Sequence, residues 1–120
     1  MTAEELKLRT KKFAIATILF LRTIKYSEEM KVIRYQLIKA ATSMAANYRA
    51  ACQGRSDNEF YSKICIVVEE NDESIFWLEF PEETQECEKE KCKTLLKEGG
   101  ELLLIFSKTK NTLGNKIGAR

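Results

Sequence analysis

The stretch Arg34–Phe80, RYQLIKAATSMAANYRAACQGRSDNEFYSKICIVVEENDESIFWLEF, decides the fold of this chain. It divides at Gly54 into two segments, each too long for an ordinary strand. Upstream, Ile33, Leu37, Ala40, Met44, Asn47 and Ala51 recur three or four residues apart, the period of one face of an α-helix. Ala40, Ala41, Ala45, Ala46, Ala50 and Ala51 keep that helix slim, so a neighbour can approach closely. Downstream, Phe60, Ile64, Val67, Asn71, Ser74 and Leu78 repeat the spacing, flanked by Tyr61, Cys65, Val68 and Ile75. Gly54 reads as a left-handed helix stop. Ser56, with Glu59 three residues on, reads as the capping box that opens the next helix.

Working outward, the segment before this pair predicts a helix over residues 3–25, opened by Thr2 and Glu5, another capping-box pair. Its apolar face is Leu6, Phe13, Ala16, Leu19, Phe20 and Ile24. FAIATILFL, residues 13–21, follows the cations Lys7, Arg9, Lys11 and Lys12, as a secretory signal would. It is too short to span a bilayer, which takes about 20 residues. Glu4 and Glu5 stand upstream and no small-x-small cleavage site follows, so it reads as a buried helix face. Because it is apolar nearly all round, it needs cover on more than one side, and another subunit is the expected second cover.

Ser27, followed by Glu28 and Glu29, caps a second helix over 29–54. The third runs over 57–80, and Pro81 closes it or opens the next turn. The fourth spans 83–110, carrying Cys92, Leu95, Leu96, Gly99, Leu102, Leu103, Phe106 and Thr109, with Gly99-Gly100 marking either close packing or a kink. Residues 111–120 read as a frayed basic tail. With one Pro, five Gly and no alternating β-branched runs, the expectation is an all-α, antiparallel up-down four-helix bundle, a single domain over residues 1–120.

The net charge of +2 conceals segregation. Residues 1–68 hold 12 Lys/Arg against 6 Asp/Glu, residues 69–90 hold 1 against 10, and residues 91–120 hold 7 against 2. Opposite charges on neighbouring solvated faces explain this at the least, and a basic surface that attracts phosphate backbones is the sharper reading. The cysteines, at 52, 65, 87 and 92, include no C-x-x-C pair, and the chain has no His, so a zinc site is not expected. Cys65 reads as a small core residue, Cys87 and Cys92 as exposed, and all four as reduced thiols in a cytoplasm.

Glu69, Glu70, Asp72 and Glu73 are the residues that tempt a catalytic assignment. Di-iron bundles, however, pair each Glu with a His three residues later, and no His is present. A structural role for this region fits better. Asn47 on the second helix and Asn71 beside Glu70 and Glu73 on the third form a polar clasp that fixes register, with Arg49 or Arg34 balancing charge. Ser43, Ser62 and Ser74 have no His to activate them, no Gly-rich phosphate loop is present, and Cys52 lacks a His partner. No catalytic, cofactor-binding or metal-binding residue is therefore expected. Tyr26, Tyr35, Tyr48, Tyr61 and Trp77 read as core or interface residues, and Phe76, Trp77 and Phe80 as packing against a neighbouring helix or subunit.

Gln36-Leu37 followed by Ala40-Ala41-Thr42-Ser43-Met44-Ala45-Ala46-Asn47-Tyr48-Arg49-Ala50 resembles the second-helix signature of the four-helix-bundle family encoded in intervening sequences of bacterial 23S ribosomal RNA genes. Phe60, Lys63, Ile64, Glu70, Glu73, Trp77 and Leu78 match that family's third helix at the same spacing. The resemblance implies a cytoplasmic, non-enzymatic bundle that assembles with itself, as a homopentamer. That family is similar in turn to the basic pentameric accessory proteins of diversity-generating retroelements, which bind nucleic acid and a reverse transcriptase. Gly99-Gly100 and the acidic 69–90 block depart from these patterns.

Two functions are weighed on this basis. In the first, an oligomer of the intervening-sequence family touches RNA or DNA through Lys11, Lys12, Arg22, Lys39, Arg49, Arg55, Lys108, Lys110 and Lys116. In the second, the oligomer is an adaptor whose acidic block docks a protein partner and no nucleic acid is bound. Neither involves a membrane.

Overall fold

The computed structural model describes residues 1–119. Its regular structure is four α-helices: α1 Ala3–Leu21, α2 Glu28–Ala51, α3 Asp57–Glu83 and α4 Lys89–Gly118. No strand occurs among the described residues. Helices adjacent in the chain pack on each other and α1 also meets α4, closing the ring of contacts expected of a bundle. The diagonal pairs meet through side chains, as where the Tyr48 and Phe106 rings lie 5.0 Å apart. The molecule measures 51 × 25 × 21 Å.

Three N-termini are capped as the sequence suggests. Thr2, Ser27 and Ser56 hydroxyls accept from the backbone N–H of Glu5, Met30 and Glu59, each at 3.1 Å. The Glu59 carboxylate reaches back to the Arg55 N–H at 2.6 Å, one residue earlier than a strict capping box. Between helices, the apolar seams of α2 and α3 fill the core: Leu37, Ala41, Met44, Ile64, Val67 and Leu78 are fully buried.

The α1 seam differs from expectation. Ala16 and Leu19 face outward, and the buried row is Leu6, Thr10, Phe13, Thr17, Phe20 and Ile24, with Ala14 and Leu21 beside it. The two threonines hold core positions because their hydroxyls donate to carbonyls of their own helix, Thr10 to Lys7 at 3.0 Å and Thr17 to Phe13 at 2.8 Å. A Thr satisfied in this way presents only its methyl to the core.

The helix ends also move. α1 stops at Leu21 rather than 25, because the Thr23 hydroxyl takes the Phe20 carbonyl and Arg34 donates to the Leu21 and Ile24 carbonyls. Arg34 thus caps α1 and has no part in balancing charge near Asn47. Gly54 is not left-handed: the only positive φ among the described residues is at Gln85, 58°. α3 does not close at Pro81 but runs to Glu83, carrying Pro81 in its last turn. There the Gln85 and Glu86 N–H groups donate to the Glu82 and Pro81 carbonyls, the double bond pattern of a Schellman stop with Gln in the place usually held by Gly. α4 consequently begins at Lys89. It continues through the expected tail to Gly118, because Gly114 lets the Tyr61 ring approach and Lys116 pairs with Asp57 at 3.3 Å. Arg120 lies outside the described residues.

Gly99 and Gly100 play different parts. A Cβ at Gly99 would stand 3.1 Å from Ile75 Cγ1 and 3.5 Å from the Phe13 ring, whereas one at Gly100 would meet nothing within 4 Å. Close packing of α1, α3 and α4 explains the first glycine and leaves the second without a structural reason.

Candidate functional site

The polar clasp is built differently from its sequence outline. Asn47 is half-buried, and its Nδ2 donates within its own helix, to the Ser43 carbonyl at 2.9 Å and the Ser43 hydroxyl at 3.1 Å. Ser43 lies near enough to Glu70 across the α2–α3 contact to lower its pKa, and Asn47 itself does not pair with Glu70. Burial lifts the Glu70 pKa above the ordinary carboxylate value and Glu73 adds to that; the Ser43 hydrogen bond and Lys39 oppose it. Glu73 accepts from the Trp77 indole at 3.3 Å on its own helix. Asn71 turns the other way. It is fully buried, donates from Nδ2 to the Gly99 carbonyl of α4 at 3.0 Å, and leaves Oδ1 without a partner. Of the four clasp residues, Asn71 reaches across to α4, Glu70 faces α2, and Asn47 and Glu73 bond within their own helices.

A stronger inter-helix tie was not visible in the sequence. Arg9 on α1 forms a two-pronged pair with Glu98 on α4, Nε to Oε2 and Nη2 to Oε1 both at 2.7 Å, with Glu101 at 3.4 Å. Its partners lie some ninety residues away, so no local spacing could reveal them.

The nine candidate cations are not one patch. Lys11 and Arg49 line a groove of 490 Å³ between α1 and α2, together with Lys7, Leu8, Ile15 and Ala46. Lys108 and Lys116 line a second groove, of 550 Å³, with Asp57, Phe60 and Leu113. Lys12 is exposed on the outer face of α1, Arg22 is exposed at its C-terminus, and Arg55 is exposed in the α2–α3 turn. Lys39 is an exposed α2 residue whose charge is felt by Glu70, and Lys110 is half-buried on α4.

Large apolar side chains face outward on every helix, Val32 on α2 and Leu104 on α4 among them. On α1, Leu8, Ile15 and Leu19 are each about half exposed, at 54, 48 and 52 %, and share one side with Lys12. On α3, Phe76 and Phe80 are exposed and pack against Trp77, with Phe76 edge-on to both at 5.0 and 5.1 Å. Tyr26 and Tyr35 are exposed, whereas Tyr48 is buried. Cys87 is half-buried and Cys92 fully buried, not exposed as their sequence context suggested; Cys65 is half-buried rather than a core residue. No helix among the described residues is long and apolar enough to cross a membrane. No trio of acidic or thiol side chains among the described residues is grouped to hold a metal ion.

No protein-family model and no curated protein matches this chain. Among solved structures it is similar to the crystal structure of a protein of unknown function from the S23 ribosomal protein family of Bacteroides thetaiotaomicron. The match has a TM-score of 0.78 and 23 % identity, and covers 87 % of this chain and 96 % of the other. At that identity the likeness establishes the fold: this chain has the four-helix fold of an S23-family protein.

Proposed function

We propose that this chain is a non-catalytic, self-assembling bundle of antiparallel up-down topology, related to the 23S rRNA intervening-sequence proteins, that contacts nucleic acid at one end. The opposed sense of the helices is supported by their pairings: Asp57 with Lys116, Asn71 with Gly99 and Leu78 with Cys92. α1 likewise sets Arg9 against Glu98 and Phe20 beside Leu95. In this topology Lys7, Lys11, Arg49, Arg55, Lys108 and Lys116 gather at one end. Glu82, Glu83, Glu86, Glu88 and Glu90 gather at the other. Relatedness to the intervening-sequence proteins is supported by the α2 and α3 residue pattern together with the fold.

The observation that carries self-assembly is the outer face of α1. Leu8, Ile15 and Leu19 stand on one side of the helix, each about half exposed. Large apolar side chains grouped on one exposed helix face support a contact surface. The full chain is expected to sediment as a multiple of 13.8 kDa, and Ile15→Glu with Leu19→Glu to reduce it to a single chain. A wild-type protein that sediments at 13.8 kDa at high concentration refutes self-assembly.

Nucleic-acid contact is tested by fluorescence anisotropy with single- and double-stranded RNA and DNA. Affinity falling steeply with salt, and lowered by Lys11→Glu with Arg49→Glu, supports it. No binding to any of them at low salt removes it. The adaptor reading is favoured by a separate observation, the exposed Phe76 and Phe80 on the acidic helix. Under it, changing Glu82, Glu83 and Glu86 to Lys releases a protein partner in a pull-down and leaves nucleic-acid binding untouched.

A further inference from the structure

Cys87 and Cys92 flank the start of α4 in a defined relation. With Glu88 as N-cap, Cys87 is the residue before the cap and Cys92 the fourth of the helix. Those two positions face each other in a hydrophobic staple, where side-chain contact fixes how the chain enters a helix. The Glu88 side chain makes no capping bond, so the staple is the local device that holds this end. Here both halves of the staple are thiols. They lie near enough that each shifts the titration of the other. Each is also aimed at α3: Cys87 Sγ donates to the Pro81 carbonyl at 3.4 Å and Cys92 Sγ to the Leu78 carbonyl at 3.5 Å. The other two cysteines are separate, each beside a tyrosine four residues earlier, Cys52 just past the end of α2 at Tyr48 and Cys65 within α3 at Tyr61.

We propose that Cys87 and Cys92 are a dithiol modification site that closes reversibly to a disulfide by exchange with a small disulfide of the glutathione class. Access sets the order of events. Cys92 is sealed, whereas Cys87 lines a 430 Å³ groove with Glu82, Glu83, Gln85, Lys89 and Lys93. Cys87, as thiolate, attacks one sulfur of glutathione disulfide and expels one glutathione thiolate. Cys92 then attacks the Cys87 sulfur of the mixed disulfide and expels the second. The two S–H protons pass to the two leaving thiolates, so the protein loses two electrons and the glutathione disulfide gains them. Cys87 lies between the helices, in residues 84–88, so its approach needs torsional adjustment of the turn and no displacement of α4. Burial raises both thiols, Cys92 to about 12, which keeps them protonated at rest. The pair therefore equilibrates slowly with disulfides and is no faster than an ordinary thiol towards peroxide.

The test is a thiol count on the full reduced chain equilibrated in glutathione buffers of increasing oxidised fraction, followed by peptide mapping without reduction. The expected result is a fall from four free thiols to two, with an intramolecular Cys87–Cys92 bond that dithiothreitol reverses. A Cys52→Ser, Cys65→Ser variant should show the same half-oxidation ratio, and Cys87→Ser no intramolecular bond. Four thiols persisting in fully oxidised glutathione overturns the proposal. So does a mapped bond that uses Cys52 or Cys65, or one that joins two chains. The wild-type count stands even if a variant folds poorly, and none of these outcomes depends on self-assembly or nucleic-acid binding.

Discussion

Replacing Gly99 and Gly100 separately by Ala gives two variants that are chemically identical and adjacent, yet their outcomes should diverge. A helix-interior Gly is less favourable than Ala by about 1 kcal/mol, and that gain is available at both positions. At Gly100 nothing opposes it, since the new Cβ meets no atom within 4 Å. At Gly99 the new Cβ is pushed to 3.1 Å from Ile75 Cγ1 with the Phe13 ring behind it. Overpacking of that kind costs about 1–3 kcal/mol, so the net change runs from roughly zero to about 2 kcal/mol of lost stability. Any backbone shift that relieves the clash also stretches the bond from Asn71 to the Gly99 carbonyl, on a side chain whose other polar atom already has no partner. For 120 residues the unfolding entropy makes 1 kcal/mol worth about 4 °C. Gly100→Ala should melt about 4 °C above wild type, and Gly99→Ala between no change and about 8 °C below it. Thermal unfolding followed by circular dichroism, at matched protein concentration because assembly shifts the midpoint, reads the difference. Equal shifts of the same sign in both variants would refute the close approach of α1, α3 and α4 at Gly99.

Three further outcomes follow from other contacts. Gln85→Gly should stabilise by about 1 kcal/mol in urea unfolding, because it removes the penalty on a side chain held at φ 58°. Arg9→Met should lose about 1 kcal/mol, since a two-pronged guanidinium–carboxylate pair exceeds a simple surface pair while partial exposure screens it. A double-mutant cycle with Glu98→Gln that shows no coupling would contradict that geometry. Glu70 has a raised pKa in the folded state, so its ionised form opposes folding at neutral pH and ceases to do so as pH falls through that pKa. Glu70→Gln should therefore melt higher than wild type at pH 7 and converge with it in acid; an increase that persists at low pH would show that charge is not the cause.

The α2 and α3 seams could be read from spacing alone because nearly every buried position there is apolar or small. On α1 the same method finds Leu6, Phe13, Phe20 and Ile24 but takes Ala16 and Leu19 in place of Thr10 and Thr17, which look polar in a sequence and behave as core residues once their hydroxyls are spent on their own backbone. The end of α3 was obscured because a Gln, not a Gly, occupies the left-handed position, and Pro81 fits a last helical turn as well as a stop. Asn71 was identified as buried but assigned to the wrong neighbour, because periodicity gives the face of a residue and not which helix will cover it. The Arg9–Glu98 tie and the Cys87–Cys92 contact depend on the α3–α4 turn and on helix order. Of the candidate basic residues, charge alone points to exposure, which Lys110 does not share, and their scatter over separate faces depends on how the helices pack.

The unequal lengths of the outer helices have a consequence for how the molecule opens. Where Arg9 meets Glu98, α1 has less than two turns left before it begins at Ala3, while α4 continues to Gly118. In the antiparallel arrangement proposed above, the last turns of α4 overhang their neighbour and are braced mainly on one side, by Tyr61 and Asp57. Such a segment unzips on its own without the rest of the bundle, so its amides exchange with solvent ahead of those around Leu102. Lys116 rides on that hinged cantilever, and its charge can swing out from the body while the packed centre stays shut.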